Sequence, residues 1–350
     1  MITKTKIRIF LNYLLKITVL IVSLFYLYSL LVNKIDAEYF LIYLNSIISS
    51  PKFYFFLLLL FLLMIINWGI ESKKWNILVK VFYHQKFTEA INGVLLGHTI
   101  SLFLPNRTGD FIGRILLLPL RYRWKGVYAN FVASLSQILV TVVFGIIGFI
   151  YFYNAINLVL GNTYLSYLIV SILILFGGFI VLVLLNLQWL KKIASFKFIE
   201  RFKTASLSLL VFKEFDYNIV SKVFIYSGLR YLIYVTQFFL ALYLFDIKLN
   251  FIDGFLVISL IYVLITIVPR LAIAEIPIRG SITIFIIDAY YKYAGLPTSS
   301  DIESLAFSAS TLLWIINIFI PAISGIWVFL NKKLVTIPPL RHQDTKNKVE

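Results

Sequence analysis

Two short stretches of the chain put charge where apolar sequence surrounds it. The first carries Arg107, Asp110 and Arg114, and the second carries Arg270, Glu275 and Arg279. In each, an acid precedes an arginine by four residues, Asp110 to Arg114 and Glu275 to Arg279, which is the favourable orientation for an ion pair within one helix. Pairing of this kind leaves Arg107 and Arg270 uncompensated, each next to a chain break at Pro105 or Pro269. A guanidinium fork fits phosphate oxygens, and a helix that begins after a break adds N–H donors and the positive end of its dipole. These residues therefore suit anion binding, of phosphate above all. The plainer reading is that the charges satisfy one another and the backbone freed at the breaks. Other chemistry has little to build on. The chain has no cysteine, which excludes disulfides, thiolate metal sites and a cysteine nucleophile, and His84, His98 and His342 are too scattered for a metal cluster. No metal or cofactor is expected, and no G-x-x-x-x-G-K-[ST] pattern offers a P-loop for ATP.

The elements that must position these charges are membrane helices. The 350 residues are 61% hydrophobic and 14% charged, against roughly 45–50% apolar and about 25% charged in a soluble globular chain. Six apolar runs, roughly 9–32, 53–70, 128–152, 164–187, 223–245 and 304–330, approach or exceed the ~20 residues that cross a bilayer core. Two further apolar stretches are interrupted: 91–120 at residues 105–110, and 254–293 from Pro269 to Gly280. Their arms of 10 to 15 residues are too short to cross at about 1.5 Å per residue, which predicts two re-entrant helical hairpins. Only the arm before Pro269, if extended back to Phe251, would reach across.

Charge sets the orientation. Lys4, Lys6 and Arg8 precede the first run, and no small-residue cleavage site follows it, so that run reads as an uncleaved anchor with a cytoplasmic N-terminus. The segments then expected inside (1–9, 71–90, 121–125, 188–222, 331–350) hold 22 basic and 7 acidic residues, and those expected outside hold 3 and 6. This asymmetry puts both termini in the cytoplasm and accounts for most of the net charge of +16 without nucleic acid as a partner. Within the long connection 188–222, Trp189, Ile193, Phe196, Ile199, Phe202, Leu207 and Leu210 recur among lysines and arginines, as in a helix lying on anionic lipid; a solvated linker is the alternative. The path of the first half (9–152) is repeated with opposite topology by the second (164–330), the arrangement of inverted-repeat transporters whose sites lie near the midplane. The expected architecture is an all-α polytopic membrane protein. It has one integral domain, 1–330, with about six spans and two re-entrant hairpins, and a disordered basic tail, 331–350.

Single polar residues are less informative. Arg230, some two turns into its span, faces either the same cavity or the cytoplasmic surface. Asp288 and Lys292 form another acid–base pair four apart. Lys16 snorkels, His98 is a satisfied core histidine rather than a proton relay, and the 6 Trp and 22 Tyr form interfacial belts.

The stretch Ser101-Leu-Phe-Leu-Pro105-Asn-Arg107-Thr-Gly109-Asp110-Phe-Ile-Gly-Arg114 resembles the membrane region of the bacterial lysylphosphatidylglycerol synthases, the flippase-like integral membrane family. That family shows a proline, then Arg-x-Gly-acid, then a further arginine. The likeness in length and element order covers about 1–330. Val268-Pro269-Arg270-Leu-Ala-Ile-Ala-Glu275-Ile-Pro277-Ile-Arg279-Gly280-Ser281 is similar to the family's second motif, but has Pro277 and lacks its usual Gly-x-Gly. The resemblance implies handling of an anionic phospholipid or lipid-linked phosphate in a bacterial cytoplasmic membrane. Only about 20 residues follow the last span, against a whole aminoacyl-tRNA-dependent transferase in the full-length synthases, so lysyl transfer is not expected of this chain.

The function expected is binding, with translocation between leaflets, of an anionic head group held by Arg107 and Arg270, with Asp110–Arg114 and Glu275–Arg279 keeping those arginines in place. The alternatives are an intramembrane lipid-modifying enzyme using Asp110 or Glu275 as general base, and a non-transporting membrane subunit. The enzyme reading lacks a second carboxylate, a Cys or a convincing His beside either motif.

Overall fold

The computed structural model describes residues 45–102, 104, 108–154, 163–187, 208–268, 275–297 and 300–331. The expected first span 9–32 with Lys16, most of the basic connection after residue 187, the tail after Asn331, and Pro105, Arg107, Pro269 and Arg270 lie outside the described residues.

Within them the chain is helical. Its elements are α1 (Pro51–Lys80), α2 (Phe87–Ser101), α3 (Gly109–Leu116), α4 (Arg123–Tyr151), α5 (Thr163–Leu185), α6 (Tyr217–Leu244), α7 (Phe251–Ile267), α8 (Glu275–Tyr293), α9 (Ser300–Trp314) and α10 (Ile320–Asn331). A π turn, Ile315–Phe319, joins α9 to α10 in one continuous rod. Five helical stretches are long and apolar enough to cross a membrane: Pro51–Lys80, Leu120–Tyr151, Thr163–Leu185, Tyr217–Leu244 and Asp301–Asn331. They match five of the six expected spans. Large apolar side chains face outward, Leu175 and Phe179 on α5 among them, while the bundle interior holds buried polar and charged groups. The architecture is that of an all-α, multi-pass membrane protein.

Local sequence explains where the helices begin. Ser50 caps α1 by accepting from the Phe53 amide at 3.2 Å, with Pro51 in the first turn, where a missing N–H costs nothing. Asp216 caps α6 through the Ile219 amide at 2.8 Å, and Asn250 caps α7 through the Asp253 amide at 2.8 Å. The Asp216 cap starts α6 six residues before the expected boundary at 223. Just before it, Leu209–Lys213 forms a 3-10 turn whose Leu209, Val211 and Phe212 are buried, so this end of the connection is core and not an amphipathic surface helix.

The first interrupted stretch folds as expected into two short helices. α2 and α3 are apposed backbone to backbone along Gly93, Gly97, Gly109 and Gly113. A Cβ on Gly113 would collide with the Gly97 backbone, and one on Gly109 with Ser101. The spacing, small residues four apart on both helices, is that of close helix pairs in membranes. On its other side α2 meets α10, where Gly325 abuts Leu95 and the Thr99 hydroxyl donates to the Ala322 carbonyl at 2.6 Å. The second interrupted stretch differs from expectation. α7 begins at Phe251 and spans 17 residues, about 25 Å long, and α8 resumes at Glu275 rather than after Gly280. Pro277 sits in its first turn, where it breaks no helical hydrogen bond. α7 packs on α4, with Gly145 against Val263 and Gly148 against the Leu256 carbonyl, and α8 packs on α9.

Candidate functional site

The centre of the bundle is organised by a residue that charge counting assigned to a cytoplasmic loop. α1 continues unbroken past residue 70, and Asn67, Glu71, Lys74 and Leu78, spaced by four, three and four, share one buried face. Three cations meet the Glu71 carboxylate. Arg114 of α3 donates from Nη1 to Oε1 at 2.7 Å, Lys74 brings Nζ to 2.9 Å from Oε2, and Arg230 of α6 brings Nη1 to 2.9 Å from that same oxygen. None of these four residues is more than 8% exposed. One carboxylate facing three bases gives the group a formal charge of +2.

The three cations are held differently. Arg230 uses every guanidinium nitrogen: Nη1 on Glu71, Nε on Asn67 Oδ1 at 2.8 Å, and Nη2 on the Tyr234 hydroxyl at 3.0 Å, with the Trp68 ring 4.7 Å away. Arg114 shares Nη1 between Glu71 and Asn130 Oδ1, the latter at 3.1 Å, while its buried Nε has no partner. Lys74 reaches Gln137 Oε1 and Ser227 Oγ only at 3.4 Å, so its close contact is Glu71.

The expected Asp110–Arg114 pair is therefore not the one that forms. Arg114 turns to a fully buried carboxylate across the helix interface, whereas Asp110, about one-fifth exposed, lies 3.5 Å from His98 Nδ1 on α2. The apposed glycines bring α2 and α3 so close that residues on facing turns become nearer partners than residues on one helix. His98 is buried against the edge of Trp68, as a core histidine should be, but its neighbour is a carboxylate, which supplies the His beside a motif that the sequence did not show. Glu275 and Arg279 do pair, Nε to Oε1 at 3.1 Å, and so do Asp288 and Lys292, at 2.7 Å. Among the described residues the two terminal nitrogens of Arg279 have no hydrogen-bond partner. Arg107 and Arg270 lie outside the described residues.

A cavity of about 350 Å³ opens beside the group. Lys74, Arg114, Arg230 and Arg279 line it, against Glu71 and Asp110, so bases outnumber acids on its wall. Arg230 thus faces this cavity rather than snorkelling. Tyr231, Tyr234 and Tyr262 supply aromatic surface, and Asn317 enters from the π turn with a buried Oδ1 that has no partner. Among the described residues no three His, Cys, Asp or Glu side chains come together to hold a metal ion. The arrangement suits an oxyanion: cationic donors in a low-dielectric wall, with one guanidinium edge, that of Arg279, without a partner among the described residues.

Glu71 and Lys74 were missed because an apolar-run reading stops at the first charge. The signal that finds them is helical periodicity, since Trp68, Trp75, Leu78 and Val79 continue the buried face of α1 through the charged residues. No family model, no curated protein and no solved structure matches the chain.

Proposed function

We propose that this is a flippase-like membrane protein that takes the phosphate of an anionic phospholipid or other lipid-linked phosphate into this cavity and passes it between leaflets. The observation that carries the reading is the convergence of three buried cations on one carboxylate at the cavity wall. Buried positive charge beyond its local counter-charge is costly in a membrane interior and marks a ligand path. Arg279, with its free edge, is the docking fork; Arg107 and Arg270 at the chain breaks would add to the same site. The cavity lies at the small end of ligand pockets, large enough for a phosphate and its first substituent, with the acyl chains left outside.

The finer architecture belongs to the same proposal. Six spans and two re-entrant hairpins, α2–α3 and α7–α8, would form halves 9–152 and 164–330 of inverted topology, with both termini in the cytoplasm of a bacterial cell membrane. Its support is that the cavity draws Asp110 and Arg114 from one helix pair and Tyr262 and Arg279 from the other, as a site between inverted repeats would.

The test is native mass spectrometry of gently purified protein together with leaflet exchange of a labelled anionic phospholipid in proteoliposomes. Retention and exchange of anionic but not zwitterionic lipid are expected. Arg279→Lys, which keeps the charge but loses the fork, should lower both about tenfold, the size of one lost charge-assisted hydrogen bond. A wild-type protein that retains no anionic lipid and moves none sinks the reading. A second reading, an intramembrane lipid-modifying enzyme, is favoured by the His98–Asp110 contact at the cavity. Formation of a new lipid product without leaflet exchange, abolished by His98→Gln, would select it.

A further inference from the structure

Resting on the anion-binding reading of the cavity, we infer that Glu71 is a resident counter-ion. It holds on Lys74 and Arg114 the place that a ligand's oxyanion takes, and ligand binding exchanges one for the other while Glu71 stays on Arg230.

The geometry separates a fixed cation from two exchangeable ones. Arg230 is held through all three of its nitrogens and by Trp68, which makes it the most firmly anchored of the three. Lys74 has no close partner besides Glu71, and Arg114 commits a single nitrogen while its Nε stays unbonded. Both line the cavity. The two oxygens of Glu71 divide in the same sense: Oε1 accepts a hydrogen bond from Arg114, whereas Oε2 is held by charge, 2.9 Å from both Lys74 and Arg230 without a well-directed hydrogen bond to either, and keeps the Arg230 contact when Lys74 leaves. A group built only to neutralise a buried acid needs one base. Three bases, one of them with an orphaned donor, are more than that task requires.

The exchange has a chemical selectivity. Lys74 and Arg114 are buried, so giving up Glu71 for nothing is strongly unfavourable, but giving it up for a phosphate oxygen replaces one charge-assisted contact by another. A head group without an oxyanion offers no such replacement, and in a zwitterionic one the tethered ammonium is repelled by a wall on which bases outnumber acids. Exchange also limits affinity. Three buried cations without an internal carboxylate would hold an oxyanion too firmly to release it, and carriage across a membrane requires binding that is favourable yet reversible. Glu71 competes for the same donors and so sets that balance.

The experiment is a titration of purified protein with inorganic phosphate against chloride at equal ionic strength, read by thermal unfolding, in wild type and Glu71→Gln. The amide keeps the shape and removes the competing charge. Glu71→Gln should bind phosphate at least about tenfold more tightly, and in proteoliposomes it should exchange labelled anionic lipid more slowly than wild type. Equal phosphate affinity in the two proteins overturns the inference, whatever the lipid assays show. Should Glu71→Gln fail to fold, Lys74→Met serves, since Glu71 then keeps two arginines. Phosphate affinity is expected to fall about tenfold, and an unchanged value refutes the exchange. Nanodiscs of phosphatidylglycerol and of phosphatidylcholine separate the sources: a gain in Glu71→Gln for phosphatidylglycerol assigns the oxyanion to a lipid head group, and a gain for inorganic phosphate alone assigns it to the free ion. Failure of the function reading shows separately, as wild type that neither retains nor moves anionic lipid.

Discussion

How many of its donors are already taken decides what a basic residue can still do, and by that measure the cavity residues fall into ranks. Arg230 has all three nitrogens engaged, Arg114 and Lys74 are partly committed, and the two terminal nitrogens of Arg279 have no hydrogen-bond partner among the described residues. The same accounting predicts stabilities. Glu71→Ala leaves three buried cations facing one another and should cost about 3–5 kcal/mol, the range for breaking a buried ion pair. Asp110→Ala removes one half-open contact to His98 and strands no arginine among the described residues, so its cost should stay within about 1 kcal/mol. Thermal unfolding in detergent compares the two, and a larger loss for Asp110→Ala would mean that Arg114 depends on Asp110 after all. At this scale the sequence was half legible. Acid–base spacing found Glu275–Arg279 and Asp288–Lys292, because both pairs lie within one helix. The same rule mispaired Arg114, because spacing carries no information about a carboxylate 43 residues away on a different helix.

At the scale of the element, the positioning of Arg114 depends on the closeness of α2 and α3. Gly113→Ala inserts a methyl group into the Gly97 backbone and must part the helices. A loss of about 1–3 kcal/mol or more is expected from overpacking, together with weakened anion binding as Arg114 moves off Glu71. Gly178→Ala on α5 meets nothing within 4 Å and should change stability by no more than about 1 kcal/mol, towards greater stability if the helix preference dominates. If the two substitutions behaved alike in thermal unfolding, the tight apposition would be wrong. Hydropathy located five spans well because each is a long apolar run. It cut α1 short at its first charge, and it misplaced the second break because Pro277 reads as an interruption although it occupies a first turn. The start of α6 was missed for a similar reason: Asp216 reads as a surface charge in a basic stretch, when it is the cap of a helix.

For the whole molecule, the positive-inside count and the proposed hairpins make a joint prediction about sides. Single cysteines at Asn157 and Ser299 should react with an impermeant thiol reagent from outside in intact cells, and cysteines at Thr88 and Ser206 should not. External labelling at 88 would put the start of α2 on the wrong face and remove the re-entrant reading of α2–α3. The class of the protein was legible from composition alone, since nothing but a membrane accommodates so apolar a chain. The internal cavity was legible only as an expectation from charges at hydrophobic depth, because which helices face one another is a tertiary fact.

The π turn at Ile315–Phe319 bears on how such a cavity is altered by insertion rather than substitution. A π turn holds one residue more than an α turn and absorbs it locally, leaving the helix on either side in its former phase. The rod from α9 to α10 therefore has the form of an ordinary helix into which a single codon was added, with the extra residue swelling the turn that carries Asn317 to the cavity wall. Deleting Ile315 should return a plain helix in which Gly325 still abuts α2 and the fold persists, while Asn317 loses its place. Circular dichroism and thermal unfolding close to wild type, with altered selectivity among anionic lipids, are the expected outcome. A deletion that unfolds the protein would show instead that the wide turn is needed by the packing itself.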